Sequence, residues 1–220
     1  MSVLFFDLDN TLYPHRLGVV ARIDERINDY LELRLGVPSA EVDALRRRFW
    51  AEHGTTLRGL TARHSIDADD YLAYIHDIEL EDLLQPDLEL RALLARLPGR
   101  KAVFSNAPRC HAHRVLERLG LGDAFETVIA LEDLGYVPKP DARAFSTAFA
   151  QARTAGEGCA LIDDLTNNLA AAKQLGMRTI WVAEDHDGSA PDGAIDHVIT
   201  RVHEVEGVLA AAPRVAASRD

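Results

Sequence analysis

Residues 5–13 read FFDLDNTLY and place two acidic side chains directly after an apolar run. The segment VLFFD at 3–7 predicts a short buried strand, and Asp7 and Asp9 follow at its end, two residues apart. Carboxylates held this close repel each other and shift each other's pKa. A fold does not need this arrangement, so the pair indicates chemistry.

Beyond residue 99 the sequence alternates between strand and helix patterns. The predicted strands are 101–107, 126–130, 158–164 and 178–183, with an edge strand at 197–200, and the predicted helices between them are 108–120, 140–152 and 166–176. Strict alternation of this kind implies a parallel sheet with right-handed crossovers. We therefore expect an α/β fold, a Rossmann-like parallel sheet in a three-layer helix–sheet–helix arrangement.

The segment between the first strand and the rest reads as helical from residue 17 to residue 97. The predicted helices are 20–36, 39–53 with Ser39 as the N-cap, 67–76 and 87–97. A crossover between parallel strands needs only about a dozen residues, so the excess predicts an inserted α-helical cap domain. We expect a catalytic core of residues 1–15 and 88–220, a cap of residues 16–87, and a weakly ordered tail at 206–220.

Composition limits the classes of partner. The chain has 220 residues with 24 basic and 35 acidic side chains, a net charge of −11, which argues against a nucleic-acid partner. Two cysteines cannot form a disulfide framework, and no long apolar run suggests a signal peptide or a membrane span. We expect a cytoplasmic monomer or homodimer that acts on a small phosphorylated metabolite and not on a membrane.

Four strand-end features are expected to meet at one edge of the parallel sheet. They are Asp7-Asp9-Thr11, Ser105-Asn106, Lys139 in the loop VPKPDA, and Asp163-Asp164. Carboxylates grouped in this way form a site for a hard cation, and Mg²⁺ is the natural occupant. A lysine and a serine add donors for an anion, so the set predicts a pocket for a phosphoryl group held against a metal ion.

These segments resemble the four ordered motifs of the haloacid dehalogenase-like phosphohydrolases. The matching segments are DLDNT at 7–11, SNA at 105–107, VPKP at 137–140 and IDDLTNN at 162–168. The segments WAEHGTTLRGL at 50–60, LQPDLELRALLARL at 84–97 and IDDLTNNLAAAKQLGM at 162–177 also resemble the pyrimidine 5′-nucleotidase branch.

The resemblance implies a role for each catalytic side chain. Asp7 would be the nucleophile that forms an aspartyl phosphate, and Asp9 would protonate the leaving oxygen and then deprotonate the attacking water. Thr11 would position Asp9 or the phosphoryl oxygens. Ser105 would donate to the phosphate, and Lys139 would neutralise charge between Asp7 and the phosphate.

The resemblance also implies a set of ligands for Mg²⁺. Asp164 would bind the ion together with Asp7 and the main-chain carbonyl of Asp9, while Asp163 would support the site from outside the ligand shell. Many relatives carry a further acid four or five positions beyond the metal aspartate. Asn168 stands there in this chain, so Asp163 takes a larger part in metal affinity on that interpretation.

Substrate choice is assigned to the segment HGTTLRGL at 53–60, which we expect to form a tight turn. Arg58 in this segment is a candidate contact to a phosphate, ribose or base carbonyl, and a salt bridge within the cap is the alternative. Asn106 is a candidate substrate contact beside Ser105. His111 and His113 are expected on the exposed side of a helix.

Four functions remain open at this point. The first is dephosphorylation of pyrimidine nucleoside 5′-monophosphates, UMP and CMP. The second is the same chemistry on phosphoglycolate or a sugar phosphate. The third is a 2-haloacid dehalogenase, which would use Asp7 but need neither Asp9 nor Mg²⁺. The fourth is a phosphoacceptor or other non-catalytic module.

Overall fold

The computed structural model describes residues 3–184 and 193–210, and these residues contain one parallel sheet. Its strands are β1 Val3–Phe6, β2 Arg100–Phe104, β3 Thr127–Ile129, β4 Ala160–Asp163, β5 Arg178–Val182 and β6 His197–Ile199. The strand order is β3-β2-β1-β4-β5-β6, and every neighbouring pair is parallel. The predicted α/β fold with a Rossmann-like parallel sheet is confirmed.

Helices make up most of the remaining described chain. They are α1 Val19–Asp29, α2 Ser39–His53, α3 Thr56–Arg63, α4 Ala68–Ile75, α5 Leu88–Arg96, α6 Arg109–Arg118, α7 Ala142–Gln151, α8 Thr166–Gln174 and α9 Val205–Ala210. A π-helical turn follows α1 at Tyr30–Arg34, and 3₁₀ turns lie at His15–Leu17 and Val202–Glu204. Among these residues no helix is long and apolar enough to cross a bilayer.

The chain divides into two compact units. One holds the chain up to Leu17 and again from Leu80 onward, and the other is Gly18–Glu79. Residues 80–87, which the sequence analysis assigned to the cap, therefore group with the sheet. The second unit consists of α1, the π-helical turn, α2, α3 and α4.

The sheet unit is held together by apolar strands with no exposed face. All four residues of β1 are buried, and Phe5 and Phe104 from adjacent strands pack with ring centroids 6.0 Å apart. Phe145 from α7 packs edge-on against Phe104 at 5.3 Å. Burying a phenylalanine side chain contributes roughly 1.5–3 kcal/mol, so this cluster fixes α7 on the sheet.

Several local predictions are wrong. The described segment Asp77–Asp87 contains no helix, although 17–97 was expected to be helical throughout. Ser39 is the first residue of α2 and not its N-cap, and its Oγ donates to Glu32 at 2.7 Å. In the predicted tail, Val205–Ala210 is helical, and 211–220 lie outside the described residues.

The segment 53–60 is also not one tight turn. Only Gly54 and Thr55 separate α2 from α3, and Gly54 adopts a left-handed conformation with φ of 82°. The Thr55 hydroxyl accepts from the Arg58 backbone N–H at 3.2 Å, which caps α3. Arg58 therefore lies in the first turn of a helix.

The sheet order creates a crevice beside β1. From β1 the chain proceeds to β2 and β3 on one side, while β4, β5 and β6 lie on the other. Ligands of such sheets bind at the carboxyl ends of the strands where the order reverses. Phe6 pairs with Ile162, and the Asp7 N–H donates to the Ile162 carbonyl at 2.8 Å, which brings the ends of β1 and β4 together.

Candidate active site

The chain turns sharply after β1, and this turn carries the first motif. The N–H groups of Thr11 and Leu12 donate to the Leu8 carbonyl at 3.3 and 3.0 Å, and Asn10 takes a left-handed conformation with φ of 60°. The turn folds Thr11 back toward the strand end, where its hydroxyl donates to Asp7 Oδ2 at 3.3 Å. Both side chains are buried.

A buried lysine joins two of the strand ends. Lys139 Nζ donates to Asp7 Oδ1 at 2.8 Å and to Asp163 Oδ2 at 2.7 Å. Burial alone would lower the pKa of Lys139, but Asp163 and Asp7 raise it above its ordinary value, so the ammonium stays charged. The Asn106 amide accepts from the Lys139 N–H at 2.8 Å and donates to its carbonyl at 3.1 Å.

Asp163 is occupied by hydrogen bonds on both oxygens. Oδ1 accepts from the Leu165 N–H at 2.8 Å and from Asn168 Nδ2 at 3.0 Å, while Oδ2 accepts from Lys139 and from Asn168. Asn168 therefore uses its amide to hold a carboxylate, which an acid at the same position could not do. These contacts favour a supporting role for Asp163.

Asp7, Asp163 and Asp164 form a carboxylate cluster with one oxygen each, all within 4.8 Å of one another. Burial raises the pKa of Asp7 well above its ordinary range; Lys139 opposes this rise, and Asp163 and Asp164 add to it. Burial and Asp163 raise the pKa of Asp164 to about 7. Three carboxylates and one ammonium carry a net charge of −2 when ionised, which a divalent cation would balance.

The donor set also fits Mg²⁺ chemically. The ion prefers oxygen ligands from one or two carboxylates together with water and substrate phosphate. Asn10 Nδ2 donates weakly to Asp164 Oδ2 at 3.5 Å, and its Oδ1 is buried without a hydrogen-bond partner among the described residues. This buried carbonyl oxygen borders the cluster and adds to the demand for a positive charge there.

Asp9 points its carboxylate to other partners and is not part of the cluster. His111 Nε2 lies 2.9 Å from Asp9 Oδ1, and the Tyr13 hydroxyl donates to the same oxygen. Burial and Asp9 raise the pKa of Tyr13 well above its ordinary value, so the phenol keeps its proton. A ligand from Asp9 to Mg²⁺ through the main-chain carbonyl stays a prediction.

The structure corrects the expectation for His111. Its side chain has 0% exposure on the inner face of α6, next to Ala112 and one turn before Val115. The helical repeat contained this signal, because 111, 112, 115 and 116 share one face and the last three are apolar. Sequence reasoning missed Tyr13 and Asn10 because their roles depend on the turn.

Ser105 follows β2 at the same edge of the sheet. Its side chain is buried, and its Oγ accepts from the Ala107 N–H at 3.0 Å. Since the oxygen accepts in this turn, the hydroxyl proton can be donated to an anion. Arg58 lies in the other unit and is half-buried, so its assignment as a substrate contact remains a prediction.

A cavity of about 320 Å³ borders the carboxylate cluster at Asn10 and Asp164. Its other lining residues include His15, Trp181 and Glu184. Trp181 is fixed there because its indole N–H donates to the Asp164 carbonyl at 2.9 Å. The volume is within the range of small-molecule sites, and its wall offers two aromatic side chains.

The sequence matches the haloacid dehalogenase-like hydrolase family over residues 1–176. The chain belongs to this family of hydrolases, and it is an enzyme.

Similar proteins differ in their stated activity. The chain is 29% identical to phosphate metabolism protein 8 of Saccharomyces cerevisiae over 92% of this chain and 67% of that protein. It is 24% identical to a phosphoglycolate phosphatase of Colwellia psychrerythraea over 81% of this chain and 83% of that protein. A 2-haloacid dehalogenase from Pseudomonas syringae shares the fold, with a TM-score of 0.61, 22% identity and coverage of 96% and 98% of the two chains.

Proposed function

We propose that this chain is a Mg²⁺-dependent phosphomonoester hydrolase that acts through an aspartyl phosphate on Asp7. The observation that carries the proposal is the placement of Asp7: its buried carboxylate contacts Lys139 and lies in a cluster with Asp163 and Asp164. Asp9, two residues on, is held by a histidine and a tyrosine outside that cluster. This separation supports two different roles for the two acids.

In the first step, an oxygen of Asp7 attacks phosphorus and the bond to the leaving oxygen breaks. Asp9 gives its proton to that oxygen, so the leaving group departs as a neutral alcohol. Lys139 and Ser105 offset the negative charge that develops on the phosphoryl oxygens. The product of this step is an acyl phosphate on Asp7.

In the second step, water attacks the phosphorus of the acyl phosphate while Asp9 takes a proton from the water. The bond between phosphorus and the Asp7 oxygen breaks, which releases inorganic phosphate and restores both aspartates. Asp7, Asp164 and the main-chain carbonyl of Asp9 would hold Mg²⁺, with Asp163 in support. The bound ion supplies Lewis-acid polarisation of the phosphoryl group and neutralises the carboxylate cluster.

For the substrate, we propose pyrimidine nucleoside 5′-monophosphates. The resemblance of residues 50–60, 84–97 and 162–177 to the pyrimidine nucleotidases supports this choice. The cavity at Asp164 adds support, since His15 and Trp181 offer aromatic surface for a nucleobase. The likeness to a phosphoglycolate phosphatase keeps small phosphorylated acids as the second candidate.

The test is phosphate release from a panel of esters with Mg²⁺ present. We expect kcat/KM for UMP and CMP to exceed that for AMP, phosphoglycolate and sugar phosphates. A higher value for phosphoglycolate would replace the nucleotide assignment and leave the chemistry in place. Halide release from 2-chloropropionate in the presence of a chelator, without phosphate release from any ester, would reject the phosphatase in favour of a dehalogenase.

A further inference from the structure

The geometry points to His111 as a positioning residue that holds Asp9 in the orientation needed for proton transfer. This inference rests on the proposed function, since it assigns to His111 an action on the acid–base residue. The contact joins Nε2 of a side chain with 0% exposure to Oδ1 of Asp9 at 2.9 Å. Oδ1 of Asp9 also accepts from the Tyr13 hydroxyl, so it is the accepting oxygen and the Nε2–H of His111 is the donor, while the proton that Asp9 transfers is carried on Oδ2.

Placement on α6 makes this contact rigid. The helix begins at Arg109, four residues after Ser105, so one short segment supplies both the phosphate donor and the support of Asp9. His111 lies on the packed face of α6, whose neighbours Ala112 and Val115 have 0% exposure. A buried ring on a packed helix has little freedom to rotate, and it fixes the carboxylate that it binds.

The same oxygen of Asp9 accepts from two elements that are distant in the sequence. Tyr13 comes from the turn after β1, and His111 comes from α6. An exposed acid needs no such support, whereas an acid that must protonate one substrate oxygen loses efficiency when its carboxylate rotates. Since Tyr13 remains when His111 is replaced, we expect a partial loss of proton transfer.

The proposed role predicts a loss that depends on the leaving group. For an alkyl ester such as UMP, the leaving oxygen needs the proton of Asp9, while p-nitrophenolate leaves readily without one. For His111→Leu we expect kcat/KM to fall about tenfold or more with UMP, part of the roughly 10²–10⁴-fold that general acid–base catalysis contributes. With p-nitrophenyl phosphate the decrease should stay within about twofold to threefold, because kcat/KM reports only the steps up to phosphoryl transfer.

Rescue and packing controls separate positioning from structure. His111→Gln keeps an N–H donor near the place of Nε2 and should restore most of the activity on UMP. Val115→Ala removes buried volume from the same face of α6 and leaves the contact to Asp9 in place. It should therefore lower the melting temperature and change kcat/KM for both esters by the same factor. If His111→Leu does not fold, His111→Phe takes its place, since it keeps a planar ring at this position and has no N–H donor, and it should show the same difference between the two esters.

A double-mutant cycle gives the deciding measurement. If His111 acts through Asp9, then His111→Leu should have no further effect on UMP hydrolysis in an Asp9→Asn background. Equal losses on the two esters, or a full additional loss in that background, would overturn the inference alone. If UMP is not hydrolysed, the alkyl ester that the protein hydrolyses fastest takes its place in these measurements. If the protein hydrolyses no phosphate ester, the proposed function and this inference are both overturned.

Discussion

At the scale of single residues, the site consists of three carboxylates grouped around one buried ammonium, so negative charge is in excess. Lys139 binds Asp7 and Asp163 directly, and Asp164 completes the carboxylate cluster. Both Asp7 and Asp164 have pKa values raised by burial and by their acidic neighbours. The arrangement is unfavourable for the fold by itself, which is why it indicates binding of a cation and an anion.

The first prediction concerns the nucleophile. Asp7→Asn should lower kcat for phosphate release by roughly 10⁴-fold or more, because an amide cannot form the acyl phosphate. The substitution also removes one of three repelling carboxylates, so the folded protein should remain intact by circular dichroism. Asp123→Asn is the matched control, since Asp123 is exposed and its partners in the described part of the chain are Arg91 and the backbone, and kcat of this variant should be unchanged. Retained activity in Asp7→Asn would exclude Asp7 as the nucleophile.

The second prediction concerns Lys139, whose side chain has 0% exposure. Lys139→Met should lower the free energy of unfolding by about 3 kcal/mol or more at neutral pH, because breaking a buried ion pair leaves charge without compensation. Urea unfolding in metal-free buffer measures this loss, and acid should reduce it as Asp7 is protonated. Lys101→Met, which removes two hydrogen bonds to the backbone carbonyls of Leu97 and Gly99, should cost about 1 kcal/mol per bond at most. A loss no larger than that of the control would contradict the prediction.

At the scale of secondary structure elements, the strands were predictable because each one is a short, largely apolar run, and β1, β2 and β4 also end in a polar motif. All six predicted strands are present, and the sheet order follows from parallel crossovers around β1. The site residues at strand ends could be found for the same reason. His111 could not be placed by residue type alone, because a histidine on a packed helix face looks like a surface residue until its helical neighbours are compared.

Other elements depend on tertiary contacts that the sequence does not display. The division of 39–63 into α2 and α3 depends on two residues, Gly54 and Thr55, and on the Thr55 cap. The irregular segment 77–87 contains enough leucines to resemble a helix, yet Ile78, Leu80 and Leu84 are buried without one. The burial of these three side chains stabilises the segment in place of helical hydrogen bonds.

The third prediction tests the packing of α2 against α3. A Cβ at Gly59 would lie 2.2 Å from Phe49 Cγ, and Phe49 is fully buried in α2. Gly59→Ala should therefore lower the free energy of unfolding by about 1–3 kcal/mol through overpacking. Gly207→Ala in α9 is the control, because nothing lies within 4 Å of its Cβ and alanine favours a helix by up to about 1 kcal/mol. Chemical denaturation should show opposite signs, and a neutral Gly59→Ala would contradict the close contact.

At the scale of the whole molecule, the family fold positions the acids, while reaction and substrate depend on what surrounds them. Haloacid dehalogenase-like hydrolases share the sheet, and a dehalogenase of this fold aligns with 96% of this chain. The fold therefore does not distinguish the reactions. Under the proposed function, the second acid and the net charge of the carboxylate cluster would distinguish them, because phosphoryl transfer uses a proton donor and a divalent cation.

The last prediction follows from that charge. An acid whose pKa is raised in the folded state binds its proton more tightly there, so its stabilising effect is present at low pH and lost as the pH rises to the folded value. For Asp164 this interval runs from about 4 to about 7, and Asp7 acts with the same sign. In metal-free buffer, the melting temperature of the unaltered protein relative to Asp164→Asn should fall across that interval.

Magnesium should reverse this trend. The ion binds ionised carboxylates of the folded state, so the gain in melting temperature on adding Mg²⁺ should grow from pH 4 to pH 7 and shrink in Asp164→Asn. The difference between the two proteins is the useful quantity, because other acids such as Asp196, whose pKa is lowered, titrate with the opposite sign in both. The prediction would be wrong if the two proteins had the same dependence of melting temperature on pH and the same shift on adding Mg²⁺. That result would show that the pKa of Asp164 is not raised in the folded state and that Asp164 does not bind the ion.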